Sequence, residues 1–139
     1  MLISFEKPPI YDEAVTHFAI DPKRTVFTYG DTLYNPGGLF ISEDLYVHEE
    51  THAEQQGHSE EGAKVWWDRY LTDPLFRVEQ EAEAYGRQYA CICQKVKDRN
   101  KRVVHLNALA HILAGPLYGK AVTPTKAMKM IREASGVVA

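Results

Sequence analysis

A chain of 139 residues is long enough to bury a hydrophobic core, and we expect residues 1–139 to form one domain. The apolar share of 45% and the charged share of 25% are ordinary for a globular protein. The net charge of -3 argues against nucleic acid as a partner. No run is apolar enough for a membrane span, and the N-terminus lacks the pattern of a signal peptide. Because Cys91 and Cys93 are two apart on a helix, they point to different sides and cannot easily bridge, so we expect a cytoplasmic protein with reduced thiols.

The first third of the chain predicts short strands joined by tight turns. Residues 25–29, 32–34 and 39–42 are rich in β-branched and aromatic side chains, and Gly, Asn, Asp and Pro separate them. We expect a small antiparallel sheet. If residues 39–42 form an edge strand, they could bind an extended peptide by strand addition. Residues 1–9 predict no regular element and could block a cleft in a proenzyme.

Helices follow from residue 42 onward, so the predicted fold class is α+β, with a small sheet followed by a helical bundle. Their predicted spans are 43–56, 59–71, 74–96, 103–114 and 124–134, with residues 98–102 as a charged connector. Ser42 is a good N-cap for the first of them, and Gly57 ends it. Trp66 and Trp67 diverge by about 100° on the second helix, which predicts one core and one boundary tryptophan.

Residues 48–52 read His-Glu-Glu-Thr-His and match the H-E-x-x-H pattern on the first predicted helix. Side chains four apart on a helix lie one above the other, so His48 and His52 can reach one zinc ion at about 2.0–2.1 Å. Glu49 points to a different side and can reach a water bound to that zinc. A general base at this position would take the proton of the water as it attacks a carbonyl.

One candidate for the third zinc ligand is His58, ten residues after His48. That spacing is typical of metzincins, whose longer motif is H-E-x-x-H-x-x-G-x-x-H. Here Gln55 stands where that motif has glycine, and a glycine appears only at Gly57. The departure favours His58 as a polar residue beyond a helix end.

The other candidates are acids on the helix predicted for residues 74–96. Its apolar stripe includes Val78 and Tyr85. At about 100° per residue, Glu81 lies roughly 60° from the centre of this stripe, Glu79 roughly 100° away, and Glu83 nearly opposite. Glu81 is therefore the acid best placed to face inward, where a carboxylate needs a partner such as a metal. Glu79 remains an alternative ligand, with Glu83 then orienting a histidine.

The segments HEETHAEQQ, WWDRYL and FRVEQEAEAYGRQY, within residues 29–119, resemble small gluzincin-type peptidases of tailed phages and prophages. The resemblance implies a minigluzincin-like, zincin-type core, in which a short sheet lies over the H-E-x-x-H helix and the glutamate helix crosses beneath. It also implies Glu81 as the zinc ligand. Thermolysin-type gluzincins have an aspartate four places after this ligand to orient a zinc histidine. Tyr85 stands there instead, so either the surroundings of the histidines differ or the ligand is Glu79.

The function expected from these residues is a zinc-dependent metallopeptidase. His48, His52 and Glu81 would hold Zn²⁺, Glu49 would act as general base, and a peptide or protein would be the substrate. Tyr85 and Tyr118 are candidates to stabilise the oxyanion of the transition state. The alternative is a non-catalytic zinc-binding domain that serves as a phage accessory or interaction module.

Overall fold

The computed structural model describes residues 1–18 and 20–138, and within them the chain is an α+β protein with a three-stranded sheet and six α-helices. The strands are β1 (Leu2–Ser4), β2 (Phe27–Tyr29) and β3 (Thr32–Tyr34). The helices are α1 (Tyr11–His17), α2 (Glu43–Gln55), α3 (Glu60–Thr72), α4 (Pro74–Lys95), α5 (Arg99–Leu113) and α6 (Pro124–Ser135), and a short 3-10 helix spans Pro116–Tyr118. In this described part of the chain, no helix is both long and apolar enough to cross a membrane.

The sheet is mixed, so the prediction of an antiparallel sheet is wrong for one of its two pairings. The strand order is β1-β3-β2, with β2 antiparallel and β1 parallel to β3. The β2–β3 hairpin matches the prediction, and Gly30 has the positive φ of 66° that a tight hairpin turn favours. The missed strand β1 lies within residues 1–9. Three residues are too few to show an alternating pattern, and the parallel pairing depends on a contact across about 30 positions.

Residues 39–42 form a loop, and the prediction of a strand there is wrong. The side chain of Asn35 accepts a hydrogen bond from the amide of Leu39 at 2.9 Å and donates one to its carbonyl at 2.9 Å. Both backbone groups that Leu39 would contribute to a ladder are therefore occupied. The edge strand on which the prediction of strand addition depended is therefore absent from this segment.

The outer edge of β2 is covered by side chains from the helices. The carbonyl of Thr28 accepts hydrogen bonds from Gln56 Nε2 at 3.0 Å and from Trp67 Nε1 at 2.9 Å. The amide of Gly30 donates to Gln56 Oε1 at 2.6 Å. The amide group of Gln56 thus makes the two hydrogen bonds that a further strand would make, which ties the hairpin to the end of α2.

The helix predictions are confirmed for α2, α3, α4 and α6 to within one or two residues at either end. Helix α5 starts at Arg99, so the prediction of a connector over residues 98–102 is wrong: Asp98 is the N-cap and accepts hydrogen bonds from the amides of Asn100 and Lys101. Helix α1 was not predicted, because it is short and its N-cap, Ile10, makes no side-chain hydrogen bond.

The core is built around α4, which packs against α2, α3, α5 and α6. Trp66 and Trp67 are both buried, contrary to the prediction of one boundary residue. Each indole N–H finds an acceptor, Gln80 Oε1 for Trp66 and the carbonyl of Thr28 for Trp67, so neither ring has to reach water. The two tryptophans form an aromatic wall beside α2.

Candidate metal centre

Helix α2 presents two buried histidines side by side. Ser42 begins the helix by accepting a hydrogen bond from the amide of Leu45, as an N-cap does. His48 and His52 follow one turn apart, and their ring centroids are 4.9 Å from each other. Both imidazoles are buried, because α2 turns this face toward α4.

Helix α4 brings Glu81 to both histidines. One carboxylate oxygen, Glu81 Oε1, lies 3.1 Å from His48 Nε2 and 3.1 Å from His52 Nε2. In a tetrahedral zinc site with bonds of about 2.0–2.1 Å, neighbouring ligand atoms are about 3.3 Å apart. The two separations between Glu81 and the histidines are therefore close to those between the ligands of such a site. The other oxygen, Glu81 Oε2, accepts a hydrogen bond of 2.5 Å from Tyr70.

The side chain of Gln88 determines that Nδ1 of His48 is a protonated ring nitrogen. Gln88 Nε2 donates to Asp44 Oδ2 at 2.9 Å, and Gln88 Oε1 lies 3.0 Å from His48 Nδ1. An ionised carboxylate can only accept, so the amide nitrogen of Gln88 must face Asp44 and its oxygen must face the imidazole. It follows that His48 Nδ1 carries the proton and donates it to Gln88.

The same arrangement orients His52 with different residues. Gln55 Nε2 donates to Glu83 Oε1 at 2.9 Å and to the carbonyl of Gln80 at 3.0 Å. Gln55 Oε1 lies 2.8 Å from His52 Nδ1, so this nitrogen is also the protonated one. Metal-bound histidines commonly donate their second ring nitrogen to an oxygen acceptor, which is the geometry seen for both rings.

These two glutamine contacts leave three acceptor atoms facing one another. The Nε2 atoms of His48 and His52 both face one oxygen of Glu81, each at 3.1 Å. Such a cluster is stable only with a cation, either a metal ion or an extra proton. Burial alone would lower the pKa of His52, but the charge and hydrogen bond of Glu81 outweigh it and raise this pKa to about 9. Burial likewise acts to raise the pKa of Glu81, and the two histidines overcome it and hold that pKa well below its usual range.

Glu49 lies beside the same three atoms. Its Oε2 is 3.9 Å from His48 Nε2, and the ligand atoms of His48, Glu49 and His52 all lie within 4.8 Å of one another. This buried group could hold a metal ion. The hydroxyl of Thr28 donates toward the carbonyl of Glu49 at 3.2 Å and toward Oε1 at 3.4 Å. Burial raises the pKa of Glu49 above its ordinary value, which suits a group that must accept a proton.

A cavity of about 100 Å³ opens beside these side chains. Its polar wall consists of His48, Glu49, His52 and Glu81. Its other lining residues are mostly aromatic or aliphatic: Phe18, Ile20, Thr25, Val26, Phe27, Trp66, Trp67, Tyr70, Leu117 and Tyr118. A mostly apolar pocket with a few converging polar groups is the usual form of a small-molecule or substrate site.

The two tyrosines named as oxyanion candidates differ in position. The ring of Tyr85 packs edge-on against His48 with centroids 4.4 Å apart, and Tyr85 is not among the residues that line the cavity. Tyr118 lines the cavity, and the two hydroxyls lie 3.0 Å apart. Burial raises the pKa of both phenols, so both keep their protons at neutral pH. Tyr118 is therefore better placed to donate to a ligand, with Tyr85 supporting it.

The other candidate ligands lie elsewhere. His58 is half exposed, and its Nδ1 lies 2.9 Å from Asp31 Oδ1. Glu79 is exposed on the surface of α4. Glu83 is exposed as well and reaches His52 only through Gln55.

Sequence reasoning missed the residues that hold the histidines and the glutamate in place. Gln55, Gln88 and Tyr70 make these contacts, and Asp44 anchors one of the glutamines. Gln88 stands seven places after Glu81, two helical turns along the same face, and that spacing is the one signal that could have found it.

No protein-family model, no curated protein and no solved structure matches this chain. The resemblance to minigluzincins therefore stays a prediction.

Proposed function

We propose that this chain is a zinc-dependent peptidase of the minigluzincin type, with His48, His52 and Glu81 as zinc ligands. The Nε2 atoms of His48 and His52 each lie 3.1 Å from one carboxylate oxygen of Glu81, and this convergence is the observation that carries the proposal. The glutamine contacts of both rings occupy Nδ1 and leave Nε2, the nitrogen that a metal would bind, facing Glu81. Such a buried set of acceptors needs a cation, and nitrogen and oxygen donors at a tetrahedral spacing favour zinc.

The number of protein ligands favours catalysis over a purely structural role. Structural zinc sites usually close all four positions with protein ligands, often cysteines. Cys91 and Cys93 are free thiols on the part of α4 beyond Glu81, and neither lines the cavity. Three protein ligands leave one position for water or substrate. We expect the protein to work in the cytoplasm, where such thiols stay reduced.

Zinc, when bound, polarises a peptide carbonyl and makes a water molecule acidic enough to lose a proton near neutral pH. Glu49 would accept a proton from such a water, and its raised pKa would let it pass the proton on to the leaving amine. Tyr118 donates its hydroxyl hydrogen to the oxyanion that forms. Trp66 and Trp67 exclude bulk water from this side of the cavity.

Zinc content tests the ligand assignment. Elemental analysis of the purified protein should find one zinc per chain. Glu81→Gln should lower zinc affinity at least about 100-fold, because the variant loses a ligand charge. Glu79→Gln is the matched control two residues away, and both it and His58→Ala should keep full zinc content. Loss of zinc in either control, or no zinc in the wild type after zinc is added back, would contradict the proposal.

Hydrolysis tests the catalytic assignment separately. Zinc-loaded protein should cleave members of a mixed peptide library followed by mass spectrometry. Glu49→Gln should bind zinc normally and lose at least about 100-fold in rate, as expected for removal of a general base. A wild type that holds one zinc and cleaves no peptide would instead favour the alternative, a non-catalytic zinc-binding accessory domain.

A further inference from the structure

A second cavity of about 270 Å³ adjoins the one at the candidate metal centre. The two cavities share Phe18 and Leu117 as wall residues. The remaining lining residues of the second cavity are His17, Arg77, Pro116 and Gly119. The proposed function gives this cavity no role.

Arg77 is the notable wall residue, because it is a buried cation. Only 7% of its surface is exposed. Its Nε donates to the carbonyl of Tyr70 at 2.8 Å, and one terminal nitrogen donates to the carbonyl of Leu71 at 3.0 Å. Its guanidinium carbon lies 4.8 Å from the ring centroid of Phe18 and 5.5 Å from that of Tyr70. The guanidinium is therefore fixed in one orientation before any ligand arrives.

The positive charge of Arg77 is only partly compensated. The ion pairs among residues 1–18 and 20–138 do not include it. Its two carbonyl partners belong to the last turn of α3, and a helix C-terminus supplies only about half a negative charge. A guanidinium has five N–H donors, of which the two carbonyls use two. A carboxylate in the cavity would supply the missing charge and accept from the remaining donors.

The distance from Arg77 to the metal centre suits a short peptide. Arg77 and Glu81 are four residues apart on α4, so they share a face and are separated by about 6 Å along the helix axis. Tyr70 lies between them, since its ring is near the guanidinium and its hydroxyl donates to Glu81. One extended residue spans about 3.3–3.6 Å, so the last few residues of a peptide could reach from one group to the other.

We propose that the second cavity is a carboxylate-binding subsite, in which Arg77 binds the free C-terminal carboxylate of a peptide substrate. The inference rests on the proposed function, because it assumes that the scissile bond lies at the metal centre. The substrate class is then short peptides, or protein C-termini, cut near the end. The apolar walls contributed by Phe18 and Leu117 contact the side chains of those last residues.

A pair of hydroxamates tests the subsite by calorimetry on the zinc-loaded protein. Both carry an N-terminal hydroxamate that binds zinc on the same leucyl-alanine backbone, and they differ only in ending as a carboxylate or a carboxamide. We expect the carboxylate form to bind at least tenfold more tightly, as hydrogen bonds to a charged partner do. Equal affinities for the two compounds would overturn the subsite and leave the zinc site standing. No binding of either compound would overturn the proposed function and the subsite with it.

Variants at Arg77 test whether this residue causes the preference for the carboxylate over the carboxamide. Arg77→Gln keeps one donor for the carbonyls of α3 but loses the charge, so it should bind the two hydroxamates equally. Arg132→Gln, at an exposed arginine that lines neither cavity, should keep the wild-type preference. A preference that persists in folded Arg77→Gln would overturn the assignment. If Arg77→Gln does not fold, Arg77→Lys retains the charge and should retain part of the preference, and a complete loss there would count against a charge-based subsite.

Discussion

Helix α4 packs against α2 on one side and against α6 on the other, and the two interfaces differ in kind. Toward α2 it buries polar groups, Glu81 and Gln88, which meet hydrogen-bonding partners on the facing helix. Toward α6 it presents Gly86, where an added Cβ would lie 2.6 Å from the Cβ of Ala134. The first interface is specified by the chemistry of donors and acceptors, whereas the second is specified by shape. Substitutions that change charge should therefore destabilise the interface with α2. Substitutions that change volume should destabilise the interface with α6.

The largest expected effect is a pH dependence of the metal-free protein, which comes entirely from the α2 side. His52 faces Glu81 from α4 and has Glu49 and His48 on its own helix. Its pKa is about 9 in the folded protein against 6.5 ordinarily, so its stabilisation is complete below pH 6.5 and is lost as pH rises through 9. The lowered pKa of Glu81 adds stability that is present above pH 4.5 and lost as pH falls further. The loss on the alkaline side is on the order of 3 kcal/mol.

Thermal unfolding in EDTA across pH 5 to 9 measures this dependence, with zinc-saturated protein as the comparison. Zinc displaces the extra proton, so the gain in Tm from zinc should grow as pH rises. If the Tm of the metal-free protein stays constant between pH 6.5 and 9, the contact between His52 and Glu81 does not stabilise the fold as described.

The next effect belongs to the α6 side. Gly86→Val should lower the free energy of unfolding by about 2 to 3 kcal/mol, because the new side chain overpacks the helix contact. The nearest atoms include the backbone carbon of Ala134 at 2.9 Å, so relief requires a shift of α6 as a whole. Urea denaturation measures the loss, and Glu79→Val at an exposed position of the same helix is the control. Zinc affinity of the folded variant should be unchanged, and a large drop in that affinity would show that the two interfaces are coupled.

The smallest expected effect is on metal affinity through a glutamine. Gln88→Leu removes the acceptor for His48 Nδ1, and changes of this kind weaken metal binding by about 10- to 100-fold. Gln94→Leu on the exposed face of α4 should behave as wild type. Competition with a zinc-sensitive dye gives the constants. A normal zinc affinity in Gln88→Leu would mean that α2 alone orients the imidazole ring of His48.

Much of the helical part could be predicted from the sequence, because its signals are local. Ser42, Ser59, Asp73 and Thr123 all accept hydrogen bonds as N-caps where a helix begins. Glu81 could be singled out for the same reason, since the angle between its side chain and the apolar stripe depends only on helix geometry. These inferences need no knowledge of which helix packs on which.

The remaining features depend on contacts between distant residues. Gln88 and His48 are 40 positions apart, and nothing local distinguishes a glutamine that orients a metal ligand from one on a solvated face. Asn35 looks like a turn residue in the sequence, yet its bonds to Leu39 remove a strand that composition favours. Tyr70 reads as an ordinary core aromatic, and its hydroxyl contact with Glu81 appears only when α3 lies beside α4.

The hydrogen bonds of Gln56 have a consequence for cooperativity. This one side chain joins the turn and the outer edge of the hairpin to the C-terminus of the helix that bears the histidines. Fraying of the last turn of α2 would free the amide of Gly30 and would leave the carbonyl of Thr28 with only its hydrogen bond from Trp67. The sheet and the histidine-bearing helix therefore open and close as one unit, and a ligand that stabilises His52 also protects the backbone of the hairpin from exchange with solvent.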